Sequence, residues 1–178
     1  MIRLFVAIDI PDSIKKRVEG MGGSIPRAYP VPKEQLHLTL KFIGDIESSK
    51  LRDIEEGLEE AVFHPFNLTL KGVGTFPPRG TPRVLWIGIE PQEELHLLRN
   101  KIEKILFTRG IPKEKRKYAP HLTLARLKNS PVKRLHQFLA GNSLLQSPDF
   151  PVDKFSLYSS QLTPKGAIHT VLRTYSAS

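Results

Sequence analysis

The chain has 178 residues and a formal net charge of +9, with 39% hydrophobic and 25% charged residues, as expected for a globular protein. It contains no cysteine, which excludes disulfides, thiolate zinc sites and cysteine nucleophiles. No stretch approaches the length of a membrane span and no signal peptide is visible, so we expect a cytoplasmic protein without membrane association.

The positive charge is unevenly distributed along the chain. Residues 1–90 hold 12 Lys and Arg against 12 Asp and Glu, whereas residues 91–178 hold 15 against 6. A basic excess favours a polyanionic partner such as nucleic acid. A generic solubilising surface explains the charge alone equally well.

The first half of the chain alternates strand and helix patterns. Apolar, β-branched runs indicate buried strands, and apolar residues spaced three or four apart indicate helices. In chain order the predicted elements are a buried strand at 3–9, a helix from Pro11 to Met21, a Pro-rich loop with Pro26, Pro30 and Pro32, a strand at 37–44, a helix starting at Ser48-Ser49, an alternating strand at 66–73 and a turn-rich loop at 74–82.

The second half shows a similar succession of patterns. In chain order it has a buried strand at 84–89, a helix opened by Glu93 and Glu94, a basic run at 113–117, a strand at 121–126, a helix capped by Ser130-Pro131 and two strands at 155–159 and 168–175. The basic run is a solvated loop or a phosphate-facing one. Corresponding elements lie about 84 residues apart, so we predict one α+β domain over 1–178 with two similar lobes related by a pseudo-two-fold axis.

The strongest feature of the repeat is a tetrapeptide that occurs twice. His37-Leu38-Thr39-Leu40 reappears at 121–124 as His-Leu-Thr-Leu. Because successive side chains of a strand point to opposite faces, each copy puts its His and Thr on one face and both Leu on the other. Two such strands brought together would present two imidazoles and two hydroxyls to one cleft.

A pair of histidines suits cleavage or transfer at a phosphodiester. One imidazole takes a proton from the attacking oxygen and the other gives a proton to the leaving oxygen. Thr hydroxyls can donate to the charged phosphate oxygens. Lys41 shares the parity of His37 and Thr39 and can add positive charge. Arg126 is also a candidate for substrate binding, although ideal strand geometry points it away from the cleft and only strand twist or the end of the strand would bring it back.

The chain lacks the sequence motifs of several other catalytic classes. No close metal-ligand spacing such as H-x-x-x-H is present, and neither a P-loop nor a G-x-S-x-G elbow occurs. We therefore expect no metal, no ATP and no other cofactor. His169 lies in the last predicted strand, where parity does not decide which way it points.

Two H-x-T-x motifs half a chain apart resemble those of the two-histidine (2H) phosphoesterases. The flanking strings RLFVAID (3–9), HLTLKFIG (37–44), PRVLWIG (82–88) and PHLTLAR (120–126) narrow the resemblance to the RNA 2′,3′-cyclic phosphodiesterase branch, also called 2′-5′ RNA ligase. The resemblance covers essentially the whole chain. The branch often has an aromatic residue where this chain has His169, so the residue available there for base stacking differs.

The resemblance implies an α+β, bilobal, duplicated fold with antiparallel sheets lining a central cleft and helices outside. It also implies that RNA 2′,3′-cyclic phosphate ends, tRNA fragments among them, are hydrolysed to 2′-phosphates, and that the reverse reaction joins such an end to a 5′-hydroxyl without ATP. By the same resemblance His37 is the proton donor, His121 is the proton acceptor, and Thr39 and Thr123 hold the phosphate. We expect the protein to be a monomer.

Other functions remain open at this point. A physiological RNA 2′-5′ ligase or a phosphodiesterase of small cyclic nucleotides would keep the same fold, although the basic second half favours RNA. A non-catalytic RNA-binding module would need cations and stacking aromatic residues rather than paired imidazoles. The remaining hypothesis is an α+β domain of unassigned role.

Overall fold

A computed structural model describes the whole chain, residues 1–178. Its four helices are α1 (Asp12–Val18), α2 (Leu51–Leu58), α3 (Glu93–Thr108) and α4 (Val132–Gly141). Its ten strands are β1 (Ile2–Asp9), β2 (Ala28–Pro30), β3 (His37–Ile46), β4 (Phe66–Leu68), β5 (Leu70–Phe76), β6 (Val84–Ile89), β7 (His121–Leu127), β8 (Phe150–Val152), β9 (Lys154–Thr163) and β10 (Gly166–Ser176). No helix combines the length and the apolar character needed to cross a membrane.

The strands form two four-stranded antiparallel sheets and one small two-stranded sheet. Sheet A has the order β10-β9-β1-β3, sheet B has the order β2-β7-β6-β5, and β4 pairs with β8. Each large sheet takes strands from both halves of the chain, because β9 pairs with β1 and β5 pairs with β6. The fold is therefore α+β and duplicated, as expected, with its two lobes interleaved.

The pseudo-two-fold relation is clearest in the small sheet. Phe66 pairs with Val152, Asn67 with Pro151 and Leu68 with Phe150. Pairing of Asn67 with Pro151 joins two residues that are 84 positions apart, the offset that also separates the two HLTL motifs. An antiparallel pair centred on equivalent residues lies on a local two-fold axis, so the repeat in sequence is also a symmetry of the fold.

The core lies on the faces of the two large sheets that carry the leucines of the motifs. Leu38, Leu40, Leu122 and Leu124 are all at most 2% exposed. They belong to one cluster of 35 buried residues that includes strands and helices of both halves. Full burial of a Leu contributes roughly 1.5–3 kcal/mol relative to exposure. A separate small cluster of Phe5, Ala7 and Tyr158 lies outside this core, on the opposite face of sheet A.

One predicted strand is wrong. The alternating segment 66–73 splits at Thr69 into β4, which pairs with β8, and β5, which pairs with β6. The Thr69 hydroxyl donates to Asp149, next to β8. The segment thus changes partner at Thr69, and period-two alternation along a chain does not reveal such a change.

The Pro-rich loop contains a strand that the sequence patterns did not predict. β2 pairs with β7 at the edge of sheet B, where a strand tolerates proline because one side of its backbone needs no partner. Its middle residue, Tyr29, lies opposite Arg126. Sheet A has no counterpart of β2 beside β3, so the edges next to the two HLTL strands differ.

Several helix ends also differ from the predictions. The first helix was expected to reach Met21 but ends at Val18, since Glu19 is extended (φ −59°, ψ 139°) and Gly20 has a left-handed φ of 77°. The fourth helix begins at Val132, and the hydroxyl of Ser130 is buried without capping it. The buried residues are Ile14 and Val18 in α1 and Leu135 in α4, whereas Val132, which the apolar spacing also predicts to face inward, is 54% exposed.

Candidate active site

The two HLTL strands lie beside each other although they belong to different sheets. β3 and β7 approach with Cα atoms within 8 Å of one another. In both strands His and Thr are half-buried and the two Leu are buried, so the predicted alternation is present in each copy. Tyr118, just before the second motif, donates its hydroxyl to the carbonyl oxygen of Thr39 at 2.9 Å and thus links the two strands.

A β-bulge follows the Thr in both copies. Along β1, Ala7 pairs with Thr39 and the next residue, Val6, pairs with Lys41, which leaves Leu40 unpaired. Along β6, Trp86 pairs with Thr123 and Leu85 pairs with Ala125, which leaves Leu124 unpaired. One extra residue in a strand reverses the parity of everything beyond it.

The bulge corrects the prediction for Lys41. Its side chain is 4% exposed and lies on the core side, where Nζ is 2.7 Å from the Glu103 carboxylate of α3 and donates to the carbonyl oxygen of Pro112 at 2.8 Å. Lys41 therefore adds no positive charge to the cleft. It joins β3 to α3 instead, and the exposed side chain on the cleft side of the bulge is Phe42.

The bulge has the opposite consequence for Arg126. Ideal strand geometry points this residue away, but the bulge at Leu124 turns it to the face of His121 and Thr123. Arg126 is exposed, and it lies close enough to His169 on β10 that burial and the guanidinium charge together lower the pKa of that imidazole. A cation from sheet B thus reaches across to sheet A.

Both motif histidines are held in the same tautomer by their own backbone. Nδ1 of His37 is 2.7 Å from the carbonyl oxygen of Gln35, and Nδ1 of His121 is 2.7 Å from that of Ala119. A carbonyl only accepts, so Nδ1 carries the hydrogen and Nε2 is left for the cleft. Each ring can therefore take up a proton at Nε2 and, once charged, donate it.

The surroundings of His37 are aromatic and crowded. Its ring stacks on Phe5 at 4.9 Å between centroids, Phe5 stacks on Tyr158 at 4.9 Å, and His169 meets His37 edge-on at 5.3 Å. Burial, together with the charge of His169, lowers the pKa of His37 from its ordinary 6.5 to about 4, against smaller opposing effects of the Gln35 carbonyl and Asp9. His37 is thus neutral at pH 7 in the free protein.

His121 has a different and smaller aromatic environment. Phe76 meets its ring edge-on at 5.0 Å, and Trp86 lies 6.4 Å away. Trp86 in turn packs over Gly74, where any Cβ would overlap the indole ring. Glycine at position 74 therefore sets the place of Trp86 beside the second motif.

Some residues that shape the site were not singled out from the sequence. Phe5 and Tyr158 line the side of His37, and Phe76 and Trp86 line the side of His121. Phe5 and Trp86 stand in strands that were predicted to be buried on both faces, a pattern that hides which face borders a cleft. His169 pairs with Ser160, which lies on the same face of sheet A as Tyr158. The side chain of His169 therefore points to the face of Tyr158, an orientation that the sequence left undecided.

The comparisons with known proteins agree on one family. A sequence model of the 2′-5′ RNA ligase superfamily matches residues 10–163. A protein of Archaeoglobus fulgidus named RNA 2′,3′-cyclic phosphodiesterase is 37% identical over 98% of this chain and 99% of its own. A protein of the same name from Thermotoga maritima is 35% identical over 96% of this chain and 93% of its own.

Solved structures show the same architecture. The structure of TT0787 of Thermus thermophilus has a TM-score of 0.78 and 31% identity, and the alignment covers 98% of this chain and 97% of that one. E. coli LigT complexed with 3′-AMP has a TM-score of 0.78 and 25% identity, over 99% of this chain and 98% of that one. The similarity thus extends over both lobes.

Proposed function

This chain belongs to the 2′-5′ RNA ligase superfamily, and we propose that it hydrolyses RNA 2′,3′-cyclic phosphate ends to 2′-phosphates by metal-independent acid–base catalysis. The observation that carries the proposal is the matched pair of imidazoles, each with Nδ1 bonded to a backbone carbonyl and Nε2 available. The name shared by the relatives from Archaeoglobus fulgidus and Thermotoga maritima supports the substrate class.

In the proposed reaction, water attacks the phosphorus while Nε2 of His121 accepts one of its protons. The bond between phosphorus and O3′ breaks, and Nε2–H of His37 gives its proton to O3′. The products are a 2′-phosphate and a free 3′-hydroxyl. One proton enters at His121 and one leaves from His37, so exchange with solvent restores both histidines for the next turnover.

The negative charge on the non-bridging oxygens grows as water attacks. Thr39 and Thr123 share the face of the two histidines and can donate hydroxyl hydrogens to these oxygens. Arg126, turned to the same face by the bulge, adds a full positive charge. Together they supply the stabilisation that a metal ion would otherwise provide, so we expect activity to persist in excess EDTA.

To act as the proton donor, His37 must become protonated when the substrate binds. Its pKa of about 4 means that the free protein holds it neutral near pH 7. A phosphodiester anion beside Nε2 favours the imidazolium and raises that pKa. The proton taken up at Nε2 in this way is then in place to be transferred to O3′ as the bond between phosphorus and O3′ breaks.

The finer expectations form part of the same proposal. Attack by a 5′-hydroxyl in place of water would form a 2′-5′ bond without ATP, since His121 can accept the proton of that hydroxyl and His37 can protonate O3′ as in hydrolysis. We propose that hydrolysis is the main activity, that tRNA fragments are among the RNA ends, and that a monomer acts in the cytoplasm. A physiological ligase remains the alternative enzyme, and a non-catalytic RNA-binding module the alternative of another class.

A single assay tests the proposal. The protein is incubated with a short RNA ending in 2′,3′-cyclic phosphate, and the product is identified by mass and end-group analysis. We expect a gain of one water, with the phosphate on the 2′ position. A 3′-phosphate product would show that O2′ leaves instead of O3′. An unchanged RNA would favour the non-catalytic alternative. Adding a 5′-hydroxyl RNA to the same mixture measures ligation.

A further inference from the structure

We propose that a surface beside the cleft, made of Arg27, Tyr29, Arg83 and Lys128 and called here the Tyr29 surface, binds the nucleotides that precede the cyclic end of an RNA substrate. This inference rests on the proposed function, because it names how the rest of the RNA is held. None of the four residues belongs to the HLTL motifs. Three of them lie in or next to β2 and β7, at the edge where sheet B has a strand, β2, for which sheet A has no counterpart.

Backbone pairing brings the four residues together next to Arg126. Tyr29 and Val84 flank Arg126 as its partners on the two neighbouring strands. The amide of Lys128 donates to the carbonyl oxygen of Arg27 at 3.0 Å, and the amide of Leu127 donates to that of Arg83 at 2.8 Å. The surface is thus fixed by main-chain hydrogen bonds and continues directly from the cleft.

Tyr29 offers an aromatic face to solvent. It is 54% exposed, and Nζ of Lys128 lies 5.2 Å from its ring centroid. Because Tyr29 pairs with Arg126, its side chain projects on the cleft side of sheet B. An exposed ring flanked by cations is the arrangement on which single-stranded RNA bases stack while phosphates meet the charges.

The charges of the Tyr29 surface, and of Arg126 next to it, are uncompensated. None of Arg27, Arg83, Arg126 and Lys128 forms an ion pair with a carboxylate. The corresponding end of sheet A is different, since Arg3 pairs there with Asp45 at 3.7 Å. Unpaired cations release counterions when they meet phosphates, so this end favours an RNA backbone over a protein partner of mixed charge.

The distance from the reacting phosphate decides which part of the RNA reaches this surface. Lys128 lies five positions beyond Thr123, just past the end of β7, which is roughly 15 Å along the strand direction. A single nucleotide held at the motifs does not span that length. The Tyr29 surface therefore contacts an oligonucleotide but not a mononucleoside 2′,3′-cyclic phosphate.

The test compares these two substrates on a double variant. Tyr29→Ala/Lys128→Gln should lower kcat/KM for an RNA ending in cyclic phosphate by about tenfold or more, as expected from loss of one stacked base. It should leave kcat/KM for the mononucleoside cyclic phosphate unchanged. Equal losses on both substrates, or none on the RNA, would overturn the proposal.

The chain supplies a matched control at Phe107 and Lys113. Phe107 is also 54% exposed, and Nζ of Lys113 lies 4.9 Å from its ring centroid, yet the pair stands at the end of α3, outside both sheets. Phe107→Ala/Lys113→Gln removes the same kind of aromatic residue and the same charge. It should not change kcat/KM for either substrate. An equal loss of kcat/KM on the RNA would show that the effect of Tyr29→Ala/Lys128→Gln comes from general surface charge.

A binding measurement separates failure of this inference from failure of the proposed function. If the parent protein hydrolyses neither substrate, the proposed function fails. Fluorescence anisotropy with a 2′-phosphate-ended RNA then still tests the surface. Tyr29→Ala/Lys128→Gln should weaken binding and flatten its dependence on salt, whereas the Phe107 and Lys113 control should not. Identical binding by the two double variants would overturn the proposal on its own.

Discussion

The two HLTL segments share sequence, bulge and tautomer but differ in their neighbours. His37 is enclosed by Phe5, Tyr158 and His169, whereas His121 meets Phe76 and Trp86. Beyond the bulge, the first copy carries Phe42 and the second carries Arg126, residues 84 positions apart. The repeat thus holds the two imidazoles in equivalent backbone settings. Residues outside the repeat give the two rings different chemical environments.

The largest expected effect comes from removing either imidazole. His37→Ala and His121→Ala should each lower the rate of cyclic phosphate hydrolysis by about 10²–10⁴, the usual contribution of acid–base catalysis. Steady-state kinetics measures the loss, and circular dichroism checks that both variants are folded. His136→Ala, on the exposed side of α4, is the matched control and should remain active. A folded His37 or His121 variant with near-normal turnover would contradict the two-histidine mechanism.

A modified leaving group sharpens the comparison between the two histidines. A substrate with sulfur in place of O3′ leaves as a thiolate, which needs little protonation near neutral pH. It should therefore restore much of the rate of His37→Ala and do little for His121→Ala, which still lacks the base that activates water. Selective rescue of His121→Ala would reverse the two roles.

The next effect concerns stability and follows from the core side of the first bulge. Lys41→Met removes the nearer of two cations beside the buried Glu103 carboxylate, the other being Arg99 at 3.7 Å, and should lower the free energy of unfolding by at most about 3–5 kcal/mol. Lys41→Met/Glu103→Leu should recover most of the loss because it also removes the buried carboxylate, while Arg99, the remaining cation, keeps partial contact with solvent. Urea denaturation measures both.

An exposed ion pair serves as the control for Lys41. Arg52 and Glu56 lie 2.9 Å apart on the surface of α2, and Arg52→Met should cost at most about 1 kcal/mol. A loss no larger for Lys41→Met than for Arg52→Met would mean that the buried pair contributes little to joining β3 and α3.

Arg126 and Phe42 test the residue after each bulge. Arg126→Gln should lower kcat by about 10²–10³, comparable with the loss of one donor to a developing oxyanion. Phe42→Leu, at the equivalent position, should change the rate by at most about twofold, as is usual for an exposed substitution. Similar losses for both variants would mean that the position after the bulge, rather than the positive charge, matters.

The smallest effect distinguishes the causes of the low His37 pKa. His169→Phe removes the neighbouring charge but keeps the site buried, so the pKa of His37 should rise from about 4 and stay below 6.5. NMR titration of the imidazole resonances measures it, and His136→Phe should leave the midpoint unmoved. An unchanged midpoint in His169→Phe would leave burial as the main cause, with a smaller contribution from the charge of Lys15.

Much of the fold and part of the site followed from local patterns. The strand at 37–44, the strand at 121–126 and the helix that begins at Glu93 all lie close to their predicted positions. Alternation of His and Thr with buried Leu was correct in both motifs. These features depend on residues within a few positions of each other, where side-chain periodicity is a direct consequence of backbone geometry.

What the sequence determined by itself is the repeat, the two motifs and their buried leucines, because these depend on the order of residues along single strands. Only the tertiary structure decided which side chains enter the cleft beyond each Thr. The bulges at Leu40 and Leu124 arise from pairing with β1 and β6, and each reverses the parity that the sequence predicts. Lys41 therefore lies in the core beside Glu103, and Arg126 lies in the cleft near His169.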